Sequence, residues 1–484
     1  MRSVHTVAEV RSAEEALLAR TPDGELMQRA ATGLARTCAA LLTQSGNAVY
    51  GSRVVVLVGG GNNGGDALFA GAMLARRGAQ VIAIEAAEST HSSGRTALTR
   101  AHGRLLSGTD LDVPGVVANA DLIVDGLVGI GGRGGLTGVF ADLAIAATEG
   151  GAIVVAVDVP SGINPDTGEV SGEAMWADVT VTFGALKPGL LIGPAADHVG
   201  LVELVDIGLA EELPLPSMTM LEAVDVAGLQ PHPLPSDHKY SQGVVGVAAG
   251  SARYPGAAVL CVGAATHTKA GLVRYIGDAA EAVVTAWPSA VVSTSRPRDV
   301  ERVQAWVVGP GLGLGADAVI ATHDVMQQPL PVVVDADALT QLADDPALAT
   351  ERRAWTVVTP HDGEFARLAP ELELSRDRIT AARALADRWG VTVLLKGSTT
   401  VIADPDGTVR LNPTGTPWLA TAGTGDVLAG MIGAYLAAGL TPLDAASVAA
   451  FVHGLAGRLA AAGAPCSSRD VVDAIPAAIR AVTE

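Results

Sequence analysis

The sequence predicts an α/β fold of two three-layer αβα domains, and three observations carry that prediction. Short β-branched runs recur along the chain, each ending in a Gly- or Asp-containing turn and followed by a helical pattern. The runs are apolar throughout rather than alternating, which marks strands of parallel sheets covered on both faces. A proline-rich seam between Glu211 and Gly243, with Pro214, Pro216, Pro231, Pro233 and Pro235, interrupts the rhythm, because proline suits neither a helix interior nor a central strand. Taken in order, strands of the first half are expected at 53–58, 80–86, 121–124, 152–157 and 179–183. Those of the second half are expected at 244–249, 282–286, 305–308, 331–334, 356–358 and 391–395. The domains are expected at 1–212 and 221–484, each of single-domain size. Ligands of such sheets bind outside the carboxyl ends of the strands, so the loops that follow these runs are where chemistry is sought.

Composition narrows the class. With 49% hydrophobic and 17% charged residues, the 484-residue chain is no disordered segment, and 3% aromatics make its core aliphatic. Lys and Arg number 32 against 51 Asp and Glu, a net charge of −19 shared by both halves. A nucleic-acid partner is excluded, since phosphate-backbone binding needs clustered basic residues. Cys38, Cys261 and Cys466 are scattered, which argues against a disulfide framework or a zinc site and fits a reducing compartment. Glu9, Arg11, Glu14 and Glu15 stand where a signal peptide would be apolar. The apolar run 427–443 is short for a membrane span and carries Gly430, Gly433, Gly439 and Pro442, which suits a buried helix better. A soluble, cytoplasmic protein without a membrane partner is expected.

In the first half, the run 53–58 leads into Gly59-Gly60-Gly61-Asn62-Asn63-Gly64-Gly65-Asp66 and then a helix to about Arg77. Successive glycines let backbone N–H groups converge on an anion beside a helix N-terminus. The segment satisfies GxGxxG, with Glu85 21 residues beyond Gly64, which alone would suggest a dinucleotide-binding dehydrogenase; a plain tight turn is the bland alternative. Asp125 and Asp158 each close a strand, and Ser161 follows the second. Oxygens of Asn63, Asp125 and Ser161 would make a hard-ligand site for a simple cation, while each Asp alone could be an N-cap or turn residue.

GNNGGD, VDGLVG, DVPSG and VTFGALKPGL (181–190), with a leading helix containing Leu26 and Met27, together resemble the NAD(P)H-hydrate epimerase domain. The resemblance implies a Rossmann-like fold, and potassium held at Asn63, Asp125 and Ser161. It implies hydrate contacts at Asn62, Asn63, Gly64, Gly65, Asp66, Gly129, Ile130, Gly131, Gly132, Arg133, Gly134, Gly135 and Asp158. Two departures are Gly60, where the family usually has Pro, and Ala67, where it usually has Gly. The hydrate carries a hydroxyl beside a ring nitrogen, so its epimers can exchange through an open or dehydrated cationic intermediate. One carboxylate that gives and takes a proton suffices, and Asp158 is placed for it.

The second half repeats the pattern of strand and Gly-led loop: GSARYPGAA from Gly250, GPGLG from Gly309, VDADAL, TPHDGE, KGSTT from Lys396, and AGTGDVLAGMIG. In the last, glycines at a helix start aim free N–H groups at a phosphate. Asp426 there can deprotonate a hydroxyl that attacks a phosphoryl group; an N-cap is the alternative. Lys396 is one of four lysines among 28 arginines, a plausible phosphate contact or a surface residue. His361 could equally be a satisfied loop histidine.

This set resembles the ADP/ATP-dependent NAD(P)H-hydrate dehydratase domain, a ribokinase-like fold, over nearly all of 236–484. The resemblance implies hydrate contacts at Ala257, Gly311, His361 and Asp426, and nucleotide contacts at Lys396, Gly397, Ser398, Thr399, Thr400 and Gly425. Asp362 stands where the family commonly has Pro. The implied reaction is phosphorylation of the hydrate hydroxyl by ADP, with Asp426 as base and magnesium bridging phosphate oxygens, followed by loss of phosphate. The expected partners are the hydrates NADHX and NADPHX and ADP, with a homo-oligomer as the assembly. A ribokinase-type small-molecule kinase with an appended ligand-binding regulatory domain is the alternative, and a cation-stiffened binding module remains open for the first half.

Overall fold

A computed structural model describes residues 1–110, 113–132 and 134–483. The chain forms two units, Ser3–Pro216 and Ser217 onward, with Met1–Arg2 grouped with the second. In the first unit, a seven-stranded sheet is formed by β1 (Arg53–Val58), β2 (Gln80–Glu85), β3 (Arg104–Ser107), β4 (Leu122–Gly126), β5 (Ile153–Val157), β6 (Val179–Phe183) and β7 (Leu201–Val205). They pair in the order β3-β2-β1-β4-β5-β6-β7, parallel throughout. The apolar runs are buried on both faces because helices cover both. Val54, Val56 and Val58 pack with α1 (Val7–Leu18), α2 (Glu25–Gln44) and α3 (Asn62–Arg76), whereas Val55 and Leu57 pack with α4 (Val139–Glu149). The order turns back between β1 and β4, which opens a crevice beyond their carboxyl ends. Into it run the glycine-rich loop after β1 and the segment after Asp125.

The second unit has strands β8 (Met218–Met220), β9 (Val244–Ala248), β10 (Leu272–Ile276), β11 (Val291–Ser293), β12 (Ala305–Val308), β13 (Val332–Val334), β14 (Thr356–Val358), β15 (Thr392–Leu395), β16 (Thr400–Ala403) and β17 (Val409–Asn412). Their order is β8-β17-β16-β15-β14-β13-β12-β9-β10-β11. Its helices include α5 (Pro255–Thr268), α6 (Ala280–Ala286), α7 (Ala316–Met326), α8 (Asp362–Leu368), α9 (Arg378–Trp389), α10 (Thr424–Ala437), α11 (Pro442–Ala461) and α12 (Ser468–Thr483). Val245, Val307 and Val333 pack under α5, α10, α11 and α12, while α7 and α9 meet the sheet at β12, β15 and β16. The switch point lies between β9 and β12, whose loops interlock: the Gly250 N–H donates to Pro310 O at 2.7 Å and the Ser251 hydroxyl to Gly311 O at 2.9 Å.

Three expectations are corrected. Residues 282–286 are not a strand but the end of helix α6, with Val283 buried and Val284 exposed; a short apolar run does not by itself separate helix from strand. The sheet is not parallel throughout, since β15–β16 and β16–β17 pair antiparallel. A tight turn at Gly407 (φ 89°) returns the chain directly where a parallel pairing would need a crossover. The segment 213–220 is no free linker: Met218–Met220 pairs in parallel with Val409–Leu411, so the second unit begins at Ser217 rather than 221. The run from 427 lies largely within α10, and among the described residues no helix is long and apolar enough to cross a membrane.

Candidate active sites

At the first switch point, Asp125 closes β4 and is wholly buried. Its Oδ1 accepts the Ser161 hydroxyl (2.7 Å) and the Leu127 N–H (3.2 Å), and its Oδ2 accepts the Ser161 N–H (2.9 Å). Burial raises this carboxyl to about 6, with the Ser161 and Leu127 donors opposing the rise. The Ser161 hydroxyl oxygen also accepts the Val128 N–H at 2.8 Å. Asn63 lies alongside: a Cβ on Gly129 would come 2.8 Å from its side-chain oxygen, and one on Gly126 3.2 Å from its carbonyl. The Asn63 Nδ2 is buried without a hydrogen-bond partner among the described residues. The oxygens gathered here are those of amide, hydroxyl, carboxylate and carbonyl groups. Among the described residues no group of three or more His, Cys, Asp or Glu could hold a metal ion.

Asp158 ends β5 in the left-handed region (φ 67°), which a non-glycine residue adopts only when its surroundings enforce it. The Asp158 N–H donates to Val181 O at 2.7 Å. Its Oδ1 accepts Lys187 Nζ (2.6 Å), the Thr182 hydroxyl (3.2 Å) and the Phe183 N–H (3.3 Å). Lys187, fully buried, places its other two protons on Thr182 Oγ1 (2.9 Å) and Phe183 O (3.0 Å), so all three donors are satisfied. Each of these side-chain contacts falls on Oδ1, and among the described residues Oδ2 accepts no hydrogen bond. Asp158 lines a cavity of about 950 Å³, together with Glu14, Asp66 and the Gly129–Gly132 loop. Burial, then Asp158, raises the carboxyls of both Asp66 and Glu14, Asp66 to well above its ordinary value.

Of the residues expected to contact the hydrate, Asn62, Asn63, Asp66, Gly129, Ile130, Gly131, Gly132 and Asp158 line this cavity. Gly64 and Gly65 are packing positions behind it, where a Cβ would meet Gly59 O at 2.4 Å and the Met27 and His91 side chains at 3.0 Å. Gly135 packs on the Gly172 backbone, and Gly134 turns the loop at φ 75°. Arg133 lies outside the described residues. Glu85 accepts the Arg95 guanidinium at 2.9 Å and is also hydrogen-bonded to Thr90, so it is committed within its own loop.

In the second unit, Asp426 stands in the first turn of α10. Burial raises it to about 7; Asp335 and Asp337 add to the rise and Lys396 opposes it. Lys396 Nζ lies 2.8 Å from Asp335 Oδ1 and 3.6 Å from Glu364 Oε2. Burial lowers Lys396, but these two carboxylates outweigh it and its pKa is raised. The Thr359 hydroxyl donates to Asp335 Oδ1 at 2.8 Å. Gly425 belongs to the same cluster, since a Cβ there would lie 3.6 Å from Lys396 Nζ and 3.9 Å from Asp335 Oδ2. Gly311 (φ 60°) and Ala257 are also together, with a Cβ on Gly311 falling 2.6 Å from that of Ala257. His361 caps α8, its Nδ1 accepting the Gly363 and Glu364 N–H groups. Asp362 pairs with Arg378 (2.8 Å), which also donates to Lys396 O (2.8 Å) and lies 2.8 Å from a Cβ built on Gly397. Asp362 is thereby paired, and the loop running from Lys396 through Ser398 and Thr399 to Thr400 in β16 is anchored at its start.

Sequence reasoning assigned no role to Lys187, Glu14, Asp335 or Glu364. The scarcity of lysine was a usable signal for Lys187, and Asp335 and Glu364 each lie within a recognised motif, VDADAL and TPHDGE. Glu14 gave none, being one acidic residue among several on an amphipathic helix.

Fold and sites define a two-site α/β enzyme: a carboxylate-lined cavity at one sheet switch point, and at the other a carboxylate beside a glycine-rich helix start. The NAD(P)H-hydrate dehydratase family matches residues 245–476, and the family described as YjeF-related protein N-terminus matches residues 23–189. The chain is 48% identical to the bifunctional NAD(P)H-hydrate repair enzyme of Mycobacterium leprae over 488 residues, covering 100% of each. It is 49% identical to that of Mycobacterium tuberculosis over 449 residues, 92% of each. A solved ribokinase-like superfamily protein from Enterococcus faecalis matches at 26% identity and TM-score 0.51, over 56% of this chain and 98% of that one. The chain belongs to the bifunctional NAD(P)H-hydrate repair enzymes.

Proposed function

We propose that the first unit interconverts the R and S hydrates of NADH and NADPH, and that the second returns the S hydrate to the reduced cofactor at the expense of ADP. The observation that carries this reading is the full-length match to repair enzymes, in a chain whose two switch points each hold a carboxylate suited to its half of the work. In the first cavity, Asp158 Oδ2 exchanges a proton with the hydrate while Lys187 and Thr182 fix Oδ1, so the carboxylate keeps one orientation through the reaction. The oxygens of Asn63, Asp125 and Ser161 suit a weakly demanding monovalent cation, and potassium is the ion proposed there. When bound, it would supply positive charge beneath the glycine-rich loop.

In the second site, Asp426 takes the proton of the hydrate hydroxyl as that oxygen attacks the terminal phosphorus of ADP, and AMP leaves. The N–H groups at the start of α10, around Gly425, face the charge that develops. The carbon–oxygen bond then breaks, phosphate leaves with the electron pair, the neighbouring ring carbon gives up a proton to water, and the nicotinamide double bond is restored. Asp335, Glu364 and Asp426 outnumber Lys396, so an anionic nucleotide requires accompanying positive charge. Magnesium carried on the phosphate oxygens would supply it.

The test is the full chain with S-hydrate of NADH, ADP and magnesium: NADH is expected to form with one AMP per NADH, and R-hydrate to follow through the first unit. No NADH from S-hydrate would overturn the reading, and a phosphorylated hydrate that accumulates would mark a kinase instead.

A further inference from the structure

Four carboxyl residues line the 950 Å³ cavity: Asp23, exposed just before α2, and, from three different elements, Glu14 from α1, Asp66 from α3 and Asp158 at the end of β5. Their surroundings differ in kind. Asp158 is tied through Oδ1 to a buried lysine at 2.6 Å, so a cation stands beside it. Asp66 accepts no hydrogen bond and joins no ion pair among the described residues, and the charges that act on it are the anions Asp158 and Glu14. Arg11 and His91 also line the cavity, but His91 spends its Nδ1 on the Gly94 N–H and Arg11 donates to Ile130 O. A carboxyl that shares a cavity with other carboxyls and has no cation of its own holds its proton more tightly.

We propose that Asp66 is the general acid of the epimerisation, working opposite Asp158 as the base. The Asp66 O–H gives its proton to the hydroxyl on the ring carbon next to the nitrogen. The carbon–oxygen bond breaks, its electron pair leaves with the oxygen as water, and the nitrogen lone pair closes a C=N⁺ bond. Water adds to the other face of that carbon, a new carbon–oxygen bond forms, and the proton it sheds goes to Asp158 Oδ2. The cycle ends with Asp66 ionised and Asp158 protonated. The reverse epimerisation uses the two groups in the opposite order, and exchange with water in the cavity resets them. The raised carboxyl of Asp66, caused first by burial and then by Asp158 and Glu14, agrees with this division.

The inference rests on the epimerase reading, and the test separates the two. Epimerisation by the full chain is measured above the spontaneous rate across pH, for wild type, Asp66→Asn, Asp66→Glu and Glu14→Gln. Expected is a rate that falls on the alkaline side as Asp66 ionises. Asp66→Asn should lose about 100-fold or more in kcat, with KM changed little and the alkaline fall absent, while Asp66→Glu recovers part of the rate. Glu14→Gln removes an anion that disfavours ionised Asp66, so it should move the alkaline fall to lower pH; a purely structural role for Asp66 predicts no such movement. An Asp66→Asn variant that keeps the alkaline fall and a kcat near wild type, or a Glu14→Gln profile that does not move, overturns the assignment of Asp66 alone. A wild-type chain that does not interconvert the epimers overturns the epimerase reading, and this inference with it.

Discussion

Asp426 illustrates how a single carboxyl is tuned for its task. Burial raises it first, Asp335 and Asp337 push it the same way, and Lys396 pulls it only partly back, to about 7. A base must be ionised to act, so kcat/KM for dehydration of the S hydrate should rise with pH through about 7 and level off above it. Asp337→Asn removes one of the anions that disfavour the ionised form and should shift that rise to lower pH. Asp426→Asn should abolish it with a loss of about 100-fold or more; initial rates of NADH formation against pH check all three. A rise that survives in Asp426→Asn would assign the base elsewhere. Asp158 and Asp125 were legible because a carboxylate at the end of an apolar strand has one place to go, the carboxyl edge of the sheet, and Asp426 because it follows glycines at a helix start. Lys187 was marked only by the rarity of lysine, since its role depends on a turn 29 residues beyond Asp158 folding back under it. The proton preference of Asp66 was equally hidden, being a property of what the fold leaves unpaired around it.

At the scale of elements, α10 carries Asp426 only because it can approach α5 closely. A Cβ on Gly430 would lie 2.3 Å from the Cys261 carbonyl oxygen and 3.1 Å from the Ala264 Cβ. Backbone cannot rotate aside, so the overpacking cost of about 1–3 kcal/mol exceeds the roughly 1 kcal/mol that alanine gains over glycine in a helix. Gly430→Ala should therefore lower unfolding stability by about 1–2 kcal/mol and slow dehydration by displacing Asp426. Gly228, in the helix Ala223–Leu229 with nothing within 4 Å of its would-be Cβ, is the contrast: Gly228→Ala should be neutral or stabilising. Urea unfolding of the two variants decides, and equal effects would refute the close-contact argument. The same packing logic explains which elements could be read. Central strands declared themselves as β-branched runs because both faces are covered. The outlying strands did not: β10 carries Arg274 in its middle, and β8 and β11 are three residues long. The apolar residues 282–286 read as strand because their periodicity is too short to separate the two states. The β16–β17 hairpin was masked by a loop that looked like a ligand-binding turn.

For the whole molecule, the two-unit plan was legible from the order of the motifs, while the boundary shifted because three residues of the seam serve as a strand. The net charge of −19 excluded polyanions yet leaves room for phosphate-bearing small molecules, which backbone N–H groups and carried cations can bind without a basic surface. All the described residues lining the first cavity belong to the unit Ser3–Pro216, and the cluster around Asp426 belongs wholly to the unit from Ser217. Neither set of reacting groups borrows from the other, so the two activities should be separable and should recombine in solution. Asp158→Asn should consume the S half of a racemic hydrate mixture rapidly and the R half only at the spontaneous rate of epimerisation. Asp426→Asn should interconvert the epimers and form no NADH. An equimolar mixture of the two variants should convert the whole racemate, as wild type does, because the S hydrate released by one chain is a diffusible substrate for the other. Time courses of NADH recovery from the racemate provide the check. A mixture that stalls at half conversion would mean that the hydrate must pass within a single chain, and the sites would then be coupled rather than merely joined.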